Sequence, residues 1–192
     1  MVKKVVFDVD DILWGLNERA TERAGVNYNK LVVYDCKKND VLSSEERSKM
    51  LEQYGSLELF ENIEWYDGID KLMNLERAGY ELYINSNSYT NEVADMKLKQ
   101  LSSVLPLPPD RFIMNVRLSC DTPKGIEDDV LFFVDDSPYN LVNSNAKYNL
   151  TISKPWNSSE WGTSALAGKD VVRFSSLLEV LDYILQFKEV QL

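Results

Sequence analysis

The stretch VVFDVDDIL, residues 5–13, constrains this chain more than any other. Val5, Val6 and Phe7 belong to an apolar, valine-rich run over residues 2–7, the pattern of a strand buried on both faces. The run stops at Asp8, Asp10 and Asp11 and turns apolar again at Ile12. Crowded carboxylates repel one another and are costly to desolvate unless a cation meets them. The strand mouth is therefore either a solvated loop or a site that holds positive charge.

Composition narrows the chemistry. The 192 residues include no histidine, which removes serine-histidine triads, histidine phosphatases and histidine-ligated zinc or iron. Cys36 and Cys120 match no metal spacing, and neither is followed by the arginine that a cysteine-dependent phosphatase needs. They read as reduced thiols of a cytoplasmic protein. A net charge of −10 argues against binding a nucleic-acid polymer, but not against a small phosphorylated ligand at a locally positive site. No apolar run approaches the roughly 18 residues of a membrane span. The amino terminus enters a strand at once, so neither a membrane partner nor a secretory signal is expected.

After the first strand the chain reads as helical and mixed through residue 78. Ser43 and Glu46 make an S-x-x-E capping box for a helix ending near Gly55. A second helix is expected over DGIDKLMNLERAG, capped by Asp67 and stopped by Gly79. Strands then alternate with helices: YELYIN, a helix over residues 89–105, RFIMNV, VLFFV, a short helix after Ser137-Pro138, YNLTISK and DVVRF. A last amphipathic helix opens on Ser176 and Glu179. This order predicts an α/β protein: a Rossmann-like parallel sheet built from residues 1–13 and 79–192, with residues 14–78 as a small inserted α-helical cap.

Ligands of open parallel sheets bind beyond the carboxyl ends of the strands. Asp8 and Asp10 lie there, Ser86-Asn87-Ser88 follows YELYIN, Lys124 lies in the loop before VLFFV, and Asp135-Asp136 ends that strand. Singly, each has a plain explanation, since acidic residues cap helices and SNS is an ordinary turn. Their joint order, each on the right kind of element, singles them out.

In that order the motifs resemble those of the haloacid dehalogenase superfamily. FDVDDIL is similar to its first motif, YINSNS to the second, Lys124 in TPKG to the third and FFVDDSP to the fourth. With a helical cap between the first two motifs, the chain is most similar to the 5′(3′)-deoxyribonucleotidase branch. Asp11 departs from that branch, where a small or amide residue is common, and is expected to point away from a bound phosphate. The resemblance implies a Mg²⁺-dependent phosphomonoesterase with Asp8 as nucleophile and Asp10 as general acid and base. It implies metal ligation by Asp8, Asp10, Asp135 and Asp136, and phosphate binding by Ser86, Asn87 and Lys124.

The expected substrate is a small phosphorylated metabolite, foremost a nucleoside monophosphate. Trp14, Trp65 and Tyr66 are candidates to stack on its base, although aromatics more often pack between layers. A sugar phosphate or a phosphoglycolate-like ester keeps the same chemistry. A receiver-like phospho-acceptor domain also joins an acidic pair, a hydroxyl and a lysine, but its acidic pair comes early and its lysine late in a shorter chain. A non-catalytic binding module is the other alternative.

Overall fold

The computed structural model describes residues 3–117 and 122–187. Val2, of the expected first strand, and Cys120 lie outside the described residues, whereas Cys36 is buried. Strand β1 (Lys3–Phe7) is followed by helices α1 (Leu16–Ala24), α2 (Ser44–Gly55) and α3 (Met73–Arg77). Then come β2 (Tyr80–Ser88), α4 (Asn91–Val104), β3 (Phe112–Val116), β4 (Val130–Val134), α5 (Pro138–Val142) and β5 (Tyr148–Ile152). The described chain ends with α6 (Pro155–Ser158), α7 (Glu160–Ala165), β6 (Val171–Phe174) and α8 (Leu177–Gln186).

All six strands pair in parallel in the order β3-β2-β1-β4-β5-β6. Successive strand residues face opposite sides of a sheet. Accordingly Val5 and Phe7 enter the larger apolar core, and Val6 enters a smaller one with Val130, Phe133 and Leu141. Both faces of β1 are covered, which explains why its apolar residues run without alternation. After β1 the chain builds one half of the sheet and then returns to place β4 on the other side. The gap between the ends of β1 and β4 is thus a topological switch point, the crevice where ligands of such sheets bind.

Most expected elements form, with instructive exceptions. The Ser43–Glu46 capping box closes both ways at α2. The helix expected from Asp67 forms only as a 3-10 turn at Ile69–Lys71 and the short α3, and Asp67 does not cap it. Gly68 is the entry residue instead, at φ 106, and a Cβ there would lie 2.8 Å from Leu178 of α8. Close approach to α8 therefore sets this corner, and a cap chosen from local sequence is overridden. The SNS triplet is not a turn: Ser86, Asn87 and Ser88 continue β2 in register with Met114, Asn115 and Val116 of β3. The two short helices after β5 were not anticipated. Within the segment between β1 and β2, α1 packs on α2, and Leu31, Met50 and Phe60 share one apolar cluster with Phe7.

Candidate active site

Asp8 extends β1 by one residue, its N–H donating to the Val134 carbonyl of β4 at 2.8 Å. Asp135 follows β4 directly, so the pairing of two strands brings these carboxylates together. Lys124 lies between them, with Nζ 2.6 Å from Asp8 Oδ1 and 2.8 Å from Asp135 Oδ2. All three side chains are buried. The Asn140 amide of α5 donates to Asp135 while its Oδ1 accepts the Lys124 N–H at 3.2 Å, and the Ser137 N–H donates to Asp135 at 2.8 Å. Asp135 is thereby fully engaged. Asp136 is different: Oδ2 accepts from the Trp156 indole at 2.9 Å, and Oδ1 is buried without a partner.

The other two carboxylates of the opening motif have lysines of their own. Asp10 accepts the Trp14 indole N–H on Oδ1 at 2.8 Å and forms an ion pair with buried Lys97 of α4 through Oδ2. Asp11, at φ 58, accepts the Asn17 N–H at 3.1 Å and the Asn17 amide at 2.7 Å, and lies in the field of Lys154, which follows β5. The Lys154 ammonium donates to the Tyr66 hydroxyl at 2.6 Å. The positive charge demanded by the acidic strand mouth is thus supplied first by three buried lysines, one from a loop, one from a helix and one from a strand end.

Five carboxylates face three ammoniums at the strand ends, and Lys37, Lys38, Arg117 and Asp35 also line the cavity. Burial raises the Asp8 carboxyl to about 7 even with Lys124 opposing, and Asp135 and Asp10 add to the rise. Burial likewise raises Asp136 well above the ordinary carboxylate range, helped by Asp135. Burial alone would lower the Lys124 ammonium, but Asp135 and Asp8 outweigh it and hold it above an ordinary lysine. Carboxylate oxygens of Asp8, Asp135 and Asp136 lie within 4.8 Å of one another. This oxygen cluster and the unpartnered Asp136 Oδ1 fit a hard divalent cation.

These groups open onto a cavity of about 270 Å³. Its wall includes Asp8, Asp10, Asp11, Lys124 and Asp136, with Asn87 and Ser88 from the end of β2. Among the expected phosphate-binding residues, Asn87 and Lys124 line the cavity, whereas Ser86 is fully buried behind the wall, with its hydroxyl accepting from Lys97 at 3.3 Å. Trp14, Trp65 and Tyr66 do not line the cavity. The rings of Trp14 and Trp65 pack against each other at 4.8 Å, and the Tyr66 hydroxyl accepts from Lys154. The cavity's aromatic wall is instead Tyr34, Tyr54 and Tyr89. Asp11 does reach the wall, although its oxygens are taken by Asn17.

Lys97 was the residue hidden from sequence reading, yet it left a signal. It replaces an apolar residue in the buried stripe Val93, Lys97, Leu101 of α4. The Asp136 partner Trp156 lies on an unanticipated helix and left none.

The sheet order, the switch-point crevice and the flanking helices define a Rossmann-like α/β fold, and it is similar to the fold of solved hydrolases, haloacid dehalogenase-like ones among them. A hydrolase from Pseudomonas syringae is similar at 11% identity with a TM-score of 0.61, over 97% of this chain and 100% of that one. A haloacid dehalogenase-like hydrolase from Streptococcus pneumoniae is similar at 16% identity and TM-score 0.54, over 95% of this chain and 98% of that one. L-2-haloacid dehalogenase from Xanthobacter autotrophicus is similar at 14% identity and TM-score 0.55, over 98% of this chain and 100% of that one. No protein-family model and no curated protein matches the sequence. Among the described residues, no helix is long and apolar enough to cross a membrane.

Proposed function

We propose that this protein is a Mg²⁺-dependent phosphomonoesterase that hydrolyses a small phosphorylated metabolite through an aspartyl-phosphate on Asp8. The observation that carries this reading is the convergence of Asp8, Lys124 and Asp136 on one cavity at the switch point, with Asp135 buried behind them and paired to Lys124. Asp8, Asp136 and the Asp10 backbone carbonyl are the proposed metal ligands, with Asp135 in support through its hold on Lys124. The bound ion supplies positive charge that lets a phosphate approach these carboxylates and stabilises charge on its oxygens.

An Asp8 oxygen bonds to phosphorus as the bond to the ester oxygen breaks. Asp10 gives a proton to the departing alkoxide, then takes one from the water that cleaves the acyl phosphate and restores the Asp8 carboxylate. Ser86, the Asn87 backbone amide and Lys124 hold the phosphoryl oxygens. Residues 14–78 serve as a cap that excludes water and selects the leaving group.

A nucleoside monophosphate is the proposed substrate, supported by the three tyrosines of the cavity wall, Tyr34, Tyr54 and Tyr89, a residue type that can stack on a base. A sugar phosphate is the second reading. It is supported by Asn87 and Ser88, wall residues whose Oδ1 and Oγ are buried without partners among the described residues.

A phosphatase screen over nucleoside monophosphates and sugar phosphates, with and without EDTA, tests the proposal. Turnover is expected with Mg²⁺ and lost on chelation. Asp8→Asn is expected to abolish turnover with the fold intact, because an amide cannot serve as the nucleophile. Full activity after exhaustive chelation, or in a deamidation-free Asp8→Asn protein, would sink the mechanism. Sugar phosphates winning widely in kcat/KM would select the second reading.

A further inference from the structure

An ammonium in the apolar stripe of a helix is costly to bury unless it is fully partnered. Lys97 is 1% exposed, one turn from Val93 and one from Leu101. Its Nζ meets Asp10 Oδ2, donates to the Asn87 carbonyl at 2.9 Å and reaches the Ser86 hydroxyl at 3.3 Å. The Phe60 ring centroid, 5.3 Å away, covers another side of the ammonium. Asp10 lines the cavity and Lys97 does not. Lys97 therefore grips Asp10 from behind, as the Trp14 indole grips the other oxygen.

We propose that Lys97 is a positioning residue: it fixes the Asp10 carboxylate and the Ser86 hydroxyl relative to each other, tying the proton-transfer group after β1 to the phosphate-binding end of β2. The proposal rests on the function proposed above. A carboxylate free at one end can swing, whereas one held on both oxygens by donors from different elements keeps a single orientation. A proton-transfer group must meet the leaving oxygen at hydrogen-bond distance, and a misplacement of about 1 Å costs roughly 10²-fold in rate. Ser86 is tethered by the same ammonium, which accepts nothing, so the hydroxyl proton is left to point elsewhere: toward the Asn87 carbonyl at 3.4 Å here, or toward a phosphoryl oxygen.

The experiment is a kinetic double-mutant cycle with an alkyl phosphate. Lys97→Met keeps the length and apolar packing of the stem and removes the donor. Its kcat is expected to fall roughly 10²-fold. In an Asp10→Asn background, itself down by roughly 10² to 10⁴, adding Lys97→Met is expected to leave kcat unchanged within about twofold, because residues acting as a unit are not additive. KM is expected to rise in both backgrounds through Ser86. Lys97→Gln, which keeps a donor without the charge, is expected to fall between wild type and Lys97→Met, and it stands in for the methionine variant should that fail to fold. Independent, multiplying losses in kcat, or a Lys97→Met protein with wild-type kcat, would overturn the positioning role alone. Absence of phosphatase turnover in the wild-type protein would overturn the proposed function, and this proposal with it.

Discussion

Lys124 and Lys97 flank the end of β1 and neutralise different carboxylates of one motif, but they arrive by different routes. Lys124 comes from a loop, reaches the cavity wall and spans Asp8 and Asp135, carboxylates from two adjacent strands. Lys97 comes from the middle of a helix, stays behind the wall and meets one carboxylate together with a carbonyl and a hydroxyl of β2. A loop can aim an ammonium anywhere, so Lys124 is free to face a ligand. A helix fixes its side chains by period, so Lys97 holds a neighbour in place.

The comparison breaks most sharply if Lys124 is removed. Lys124→Met leaves Asp8 and Asp135 buried without the cation between them. Breaking a buried pair in this way typically costs about 3–5 kcal/mol. In metal-free protein this is expected to lower Tm on the order of 10 °C, at the few degrees per kcal/mol usual for a chain of this size. Mg²⁺ is expected to return part of the loss, since a ligand that binds only the folded state stabilises it. Differential scanning calorimetry with EDTA and with Mg²⁺ checks both. A Tm within about 2 °C of wild type in EDTA would mean that Lys124 is not holding the carboxylates apart.

Asp10→Asn sharpens the other side. It turns the ionic partner of Lys97 neutral while the Asn87 carbonyl and Ser86 hydroxyl remain. A side chain retaining 20% exposure can admit water, so the expected loss is smaller, about 1–3 kcal/mol. Urea unfolding measures it. A loss as large as that of Lys124→Met would erase the difference drawn between the two lysines.

The same contrast explains what could be read from sequence. Strand-end residues are fixed by the strand that carries them, so Asp8, Asp135 and Asp136 could be placed once VVF and VLFFV were recognised as buried strands. Lys124 followed because it stands in a loop just before one of them. Lys97 required knowing that α4 turns the Val93–Leu101 face toward the end of β1, which is tertiary information. For Trp14, Trp65 and Tyr66, closeness in sequence to the motif points to a junction but does not say which side of the cavity wall they occupy. Local capping rules succeeded at Ser43 and failed at Asp67, where the approach of α8 to Gly68 decided the geometry.

Asp11 offers the most specific test, because its lysine makes no direct contact with it. Burial raises its carboxyl to about 8, while Lys154 and the Asn17 N–H oppose the rise and Asp10 and Glu18 add to it. In the unfolded chain the group titrates near its ordinary value of 3.8. The folded state therefore holds a proton that the unfolded chain has released, so this group's contribution is full below about pH 4, declines as pH rises, and is lost above about pH 8. Each pH unit in that window is worth up to about 1.4 kcal/mol. Asp11→Asn removes the titration and suits the left-handed backbone at φ 58, which asparagine tolerates. One amide oxygen can still accept from Asn17, but the new NH₂ group faces the Asn17 donor, a penalty of about 1 kcal/mol that does not vary with pH. By pH 5 wild type has already lost about 1.5 kcal/mol of this contribution, slightly more than that penalty, so the two proteins should be close in stability at pH 5 and the variant should gain steadily toward pH 8. Asp8 titrates in both proteins and cancels from the difference. Tm measured at intervals from pH 5 to 9 in metal-free buffer gives the profile, and a constant offset between the two proteins across that range would show that Asp11 is already ionised, with Lys154 outweighing its burial.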